Sequence, residues 1–240
     1  MLIFKNIAMK SQIHEHKKNN FKVVSTLFKI LGLVFITSLS FTGCSPENDI
    51  TLPNETDFKF YQDFSTFTEA TEGDPIALSN WTNFAQTGTV KWNEGYYSGT
   101  KYAEFTSYQS TNPSCVAWLI SPAISMDAMT HETLAFDVAQ AYVSSSANSI
   151  ELLISKDYDG TNVTLATWTP ISFTTPPLDY DTNFDFFSSG LIDLGTYTDT
   201  AANLPYTGNI YLAFRCKGSG TNTSLDGTYE LDNIRIFDKK

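Results

Sequence analysis

Cys115-Val116-Ala117-Trp118-Leu119-Ile120-Ser121-Pro122 is the stretch whose reading decides the fold. Six apolar residues follow one another without a polar break, and Ser121-Pro122 then stops the run abruptly. Branched and aromatic side chains leave no helical face, and the run is short, so it reads as a central strand buried on both sides. A strand of that kind needs a layer of structure over each face, which points to a sandwich.

Outward from it, the same period recurs. Toward the N-terminus, Phe58 and Phe60 alternate before Asp63-Phe64, Trp81, Val90 and Trp92 mark further extended pieces, and Lys101 to Ser107 alternates again. Toward the C-terminus, Leu134, Phe136 and Val138 share one face and Ala135, Asp137 and Ala139 the other, and Ile150, Leu152 and Ile154 repeat the pattern. Trp168 to Phe173, Leu191 to Leu194, Ile210 to Cys216 and Tyr229 to Phe237 supply the remaining strands. Nothing after Cys44 has a helical period. Roughly ten short strands separated by turn signals predict an all-β, two-sheet β-sandwich of jelly-roll type. Pro176-Pro177 and the irregular stretch after them interrupt the pattern, but too few strands follow to build a second core, so one domain over 57–240 is expected.

The ends of the chain read differently. Lys10, Lys17, Lys18, Lys22 and Lys29 precede the apolar run Ile30 to Ile36, and small residues lead to Phe41-Thr42-Gly43-Cys44. This is the basic, apolar, cleavable order of an export signal, with an apolar part too short for a membrane span. It resembles a bacterial lipoprotein signal, although Phe41 stands where such signals usually carry Leu. The resemblance implies a signal peptide over 1–43, lipidation (a palmitate-type anchor) at Cys44, and attachment to the outer membrane through that lipid alone. Residues 44–56, beginning with acidic Ser45 to Asp49 and containing Pro46 and Pro53, read as a polar tether similar to the export tags of Bacteroidota surface lipoproteins. Met9 is a second candidate start.

Charge narrows the partners. The formal charge is -11, and the first 43 residues hold six lysines and one glutamate, so the remainder is more acidic still. A surface of that sign repels phosphate backbones, which excludes nucleic acid as a partner. Cations, neutral ligands and basic protein patches remain.

Ala117 to Pro122, Ile210 to Arg215 and Tyr229-Glu230-Leu231-Asp232-Asn233-Ile234 resemble, in order and spacing, the choice-of-anchor J modules, which are related to cleaved-adhesin and, more distantly, MAM-like domains. The likeness spans Phe58 to Phe237 and includes Ile154 to Gly160. It implies an extracellular, non-catalytic jelly roll used in adhesion or glycan binding, often with structural calcium. The acidic loop that cleaved-adhesin domains carry after their first tryptophan is absent here, since Thr82 to Val90 contains no carboxylate.

Calcium selects hard oxygen ligands, and two places supply them. Leu231 and Ile234 are both apolar, so strict alternation breaks between them and a bulge is expected around Asp232-Asn233. With the first and last strands adjacent, as in related jelly rolls, Asp63 would reach Asp232, and this pair is the candidate calcium site. Asp157 to Asn162 starts like an EF-hand loop but has Trp168 at its twelfth position, and a β-turn is preferred.

For a sugar, exposed aromatic faces beside a few polar groups are needed. Trp92, Tyr96 and Tyr97 lie on or beside a glycine-flanked loop and Tyr142 opens a serine-rich one, making these four the candidate ligand contacts. Trp118 belongs to the core. No catalytic residues are predicted: the chain after Cys44 has one histidine, His131, in a loop, there is no G-x-S-x-G elbow, and Glu230-x-Asp232 is only a fragment of the carboxylate strand of sandwich-fold glycosidases. Cys115 and Cys216 could bridge but are favoured as buried thiols. Asp199-Thr200-Ala201 is similar to a Bacteroidota O-glycosylation motif. The expected partner is a glycan, or alternatively an envelope or host protein.

Overall fold

A computed structural model describes residues 58–127, 131–178, 184–198 and 208–238. The signal, Cys44, the tether and the Asp199-Thr200-Ala201 motif lie outside the described residues. The described chain is built from thirteen strands in two antiparallel sheets, with one 3₁₀ turn at Glu69–Thr71 and one four-residue helix, α1, at Gly195–Thr198.

The first sheet runs β10 (Phe187–Ser188), β7 (Glu132–Ala141), β13 (Thr228–Asp238), β4 (Thr100–Thr106), β3 (Asn93–Tyr97). β1 (Phe58–Gln62) also pairs with β13, and β11 (Ile192–Asp193) with β7. The second sheet runs β2 (Thr82–Thr87), β5 (Cys115–Ile120), β12 (Asn209–Gly218), β8 (Ser149–Ser155), β9 (Thr169–Ile171), with β6 (Ile124–Ser125) on β12. This is the jelly-roll β-sandwich expected.

The stretch that decided the fold is β5, between β2 and β12, and its two faces meet different layers. Cys115, Ala117 and Leu119 face Phe136, Leu231 and Phe105 of the first sheet in the main core. Trp118 and Ile120 point the other way into a second apolar cluster with Leu153, Tyr158, Val163 and Ala213. That cluster exists because the β8–β9 connection folds over the sheet and lays Trp168 against Trp118, with ring centroids 5.4 Å apart. Trp118 is therefore buried as expected, but under a loop rather than between the sheets. Gln86 accepts its indole N–H at 2.8 Å, and the Arg215 guanidinium sits 4.9 Å from the ring centroid.

The folded loop explains the Asp157 to Asn162 segment. Asp157 accepts bonds from the Ser155 hydroxyl and the Thr167 N–H, and Asp159 from the N–H groups of Thr161 and Asn162. Both carboxylates tie the loop to itself, as a turn does. Cys115 and Cys216 are free and buried, in keeping with the favoured reading. In register Cys115 faces Gly218 and Cys216 faces Ala117, so the two are diagonal neighbours rather than a directly opposed pair.

Candidate functional site

The first sheet changes partner along one edge of its central strand β13. β4 pairs with β13 over Thr228 to Leu231, and β1 takes over the same edge from Ile234 to Phe237. Between the two partners lie Asp232 and Asn233, and here the register against β7 slips by one residue, from Asp232 opposite Asp137 to Arg235 opposite Ala135. This is the expected bulge. Asn233 adopts φ 51°, a left-handed conformation that asparagine tolerates better than most residues.

The bulge gathers polar groups on the face away from the core, because Leu231, Ile234 and Ile236 hold the inward positions. The Asn233 side-chain amide donates to Asp137 at 3.0 Å and Asp232 at 3.3 Å, and its carbonyl oxygen accepts from the Tyr61 hydroxyl at 3.1 Å. Arg235 donates to the Asn233 carbonyl at 2.9 Å and lies 3.9 Å from Asp137. Burial pushes the Asp232 carboxyl up to about 6; the Asn233 N–H opposes the shift, while Asp137 and Asp63 add like-charge repulsion. Burial and the nearby Asp63 and Asp232 charges likewise raise the Tyr61 phenol. Asp63 is held below the ordinary carboxylate range: burial opposes this, but the Ser65 N–H donates to it at 3.0 Å and the Lys101 charge helps.

Further along the same face, the Tyr102 hydroxyl bonds the Glu230 carboxylate, and Glu230 stands directly opposite Glu104. Burial, then the charges of Glu230, Glu104 and Glu72, raises the Tyr102 phenol. Phe186 meets the Tyr102 ring edge-on at 6.1 Å. Tyr102 requires glycine on β3: a Cβ at Gly95 would lie 2.2 Å from its ring.

The sequence-derived contacts are not brought together. Trp92 is fully buried at 0% exposure, packed on Phe105 at 5.9 Å, and offers no face to a ligand; the core claims it because it alternates inward beside Asn83. Tyr96 and Tyr97 are successive strand residues and point to opposite sides of the sheet. Tyr97, 41% exposed, shares the side of Gly95 and the bulge. Tyr142, 50% exposed, lies just past the Ala141 end of β7, whereas Asp137 and the bulge lie at the middle of the strand. It adopts φ 61° and meets Phe184, itself at φ 54°, edge-on at 6.2 Å.

The Asp63 charge is the smallest of the influences that raise the Asp232 carboxyl. Among the described residues, no group of three or more His, Cys, Asp or Glu side chains is arranged to hold a metal ion. The excess negative charge at the bulge suits a cation, and Asp63 and Asp232 could supply two carboxylate ligands. The other oxygens a calcium ion needs would have to come from backbone carbonyls and water. His131 is exposed in its loop.

Two residues of the seam were beyond sequence reasoning. Asp137 was already on the face of its strand opposite Leu134, Phe136 and Val138, but only pairing places it opposite Asp232, and Tyr61 enters because β1 lies on β13.

No protein-family model matches the sequence, and no curated protein resembles it significantly. Solved structures do share its arrangement. The K1 cleaved adhesin domain of Lys-gingipain from Porphyromonas gingivalis W83 is 15% identical, with 75% of this chain and 98% of that one covered and a TM-score of 0.44. For the K2 cleaved adhesin domain of Lys-gingipain the figures are 16%, 75%, 98% and 0.48. For the CBM22-2 xylan-binding domain of Paenibacillus barcinonensis Xyn10C they are 13%, 75%, 99% and 0.40. At such identities the likeness is one of strand arrangement alone.

Proposed function

We propose that this chain is a non-catalytic binding module of a cell-surface lipoprotein, moored through Cys44, that recognises a glycan at the seam between β1 and β4. The observation that carries the reading is the pair of exposed tyrosines, Tyr61 (47%) and Tyr97 (41%), on the same side of the sheet as the oxygen-rich bulge of Asp137, Asp232 and Asn233. Aromatic faces pack on the apolar side of a sugar ring, while carboxylates and amides take its hydroxyls. A calcium ion held by Asp63 and Asp232 would neutralise the bulge and fix the end of β1 against β13.

The test is a glycan array probed with and without calcium. Binding lost in Tyr61→Ala and Tyr97→Ala supports the reading; binding unchanged in both variants, or none to any glycan, refutes it.

The acidity of this face favours one second reading, a basic envelope protein as partner. Glu72, Glu104, Asp137, Glu230 and Asp232 act on it, with Arg235 lying 3.9 Å from Asp137. Stoichiometric co-purification of such a protein, lost in 0.5 M salt where the Debye length falls to roughly half its physiological value, would identify it.

A further inference from the structure

Across β7 and β13 from the seam, on the far edge of the first sheet, the chain forms an open cleft of about 430 Å³. One wall is the segment after β9, Ser172 to Thr174, and the other is Ser189 to Tyr197 with β11 and α1. Both walls are fixed. The Thr174 N–H donates to the Ser189 carbonyl at 3.0 Å, and Ser189 is locked to β7 by its N–H to the Phe136 carbonyl and by the Phe136 N–H to its hydroxyl. Ile192 is paired with Leu134, and the Phe173 ring packs on Phe136 at 5.1 Å.

The lining has a particular chemistry. Ser172, Thr174, Thr196 and Tyr197 bring side-chain hydroxyls to the lining, none of them hydrogen-bonded among the described residues, and Asp193 accepts the Gly195 N–H at 2.9 Å through one carboxylate oxygen. Phe173 and Ile192 supply apolar surface, and Leu191, 62% exposed, stands at the lip. A lone carboxylate repels anionic ligands and is too little for a metal ion, while uncommitted hydroxyls disfavour a wholly apolar guest. A ring with polar edges and apolar faces satisfies both kinds of lining.

We propose that this cleft is a second carbohydrate site, taking one neutral hexose ring. Asp193 accepts from neighbouring hydroxyls of the sugar, Thr174 and Thr196 bond its rim, and Leu191 covers its apolar face. The proposal rests on the glycan reading but uses none of the seam residues, so the two can fail separately.

The experiment titrates the ¹⁵N-labelled protein with methyl glycosides of glucose, galactose and mannose, following amide shifts. The expected result is saturable movement of Thr174, Gly190, Leu191 and Thr196 with at least one hexoside, unchanged in Tyr97→Ala and at least about tenfold weaker in Asp193→Asn and Thr196→Val, the loss of roughly one strong hydrogen bond. Matching spectra of the variants away from the cleft establish that they are folded. Shifts confined to the seam overturn the cleft and leave the seam standing. Cleft shifts that survive both substitutions, or no shifts with any glycoside, also overturn the cleft.

Discussion

Asp232→Asn should stabilise this protein at neutral pH in the presence of a chelator. Asp232 is opposite Asp137, within the field of Asp63, and partly buried, and its carboxyl is pushed from 3.8 up to about 6. The sign follows from linkage. A carboxyl whose pKa is raised on folding favours the fold fully below its unfolded pKa and loses that contribution as pH rises through about 6. At full strength a shift of this size corresponds to about 3 kcal/mol; solvent reaches the group, and screening reduces the effect to about 1–2 kcal/mol. The asparagine oxygen can still accept the Asn233 N–H, which Asp232 takes at 2.7 Å, while the longer 3.3 Å bond from the Asn233 side-chain amide is lost and offsets part of the gain. The assay is urea unfolding at pH 4 and pH 7.5, with EDTA and with millimolar calcium. In EDTA the variant should gain about 1–2 kcal/mol at pH 7.5 and roughly a few tenths at pH 4, close to the unfolded pKa. With calcium the order should reverse, because the wild type gains a bound ion and the variant loses a ligand. A variant less stable than wild type at pH 7.5 in EDTA would refute the electrostatic argument, and a wild type indifferent to calcium would refute the cation.

Three further outcomes follow from single contacts. Asn83→Ala should cost about 2–4 kcal/mol in a denaturant titration, because its amide donates to the carbonyls of Ile76 and Trp92 and accepts the Trp92 N–H, groups the variant leaves unpaired. Gly95→Ala should cost about 1–3 kcal/mol, since the new methyl would displace the Tyr102 ring; an unchanged unfolding midpoint would show that the ring can move freely. Cys115 and Cys216 should resist alkylation in the native protein and both react after unreduced denaturation, as read by intact mass; a mass lacking both adducts would mean a bridge.

Much of the seam was written in the local pattern. The failure of alternation between Leu231 and Ile234 located the bulge before any pairing was known, because an inward side chain cannot be missed from a buried strand without a slip in register. The aromatic contacts were less legible. Trp92 and Tyr97 look alike as loop-flanking aromatics, yet one is fully enclosed and the other half open. Which of them faces solvent depends on Asn83 reaching across from β2 and on Tyr102 occupying the space over Gly95, neither of which is local.

The order of apolar and polar residues along the chain was enough to set an all-β sandwich, the central position of Cys115 to Ile120 and the bulge at Asp232-Asn233, because strand periodicity and its interruptions are properties of neighbouring residues. Only the folded structure decided what stands beside them. Asp137 against Asp232, Tyr61 over Asn233, Trp118 beneath the β8–β9 loop and the hydroxyl-lined cleft all join residues distant in sequence, and contact between them arises from strand pairing and loop packing rather than from any local preference.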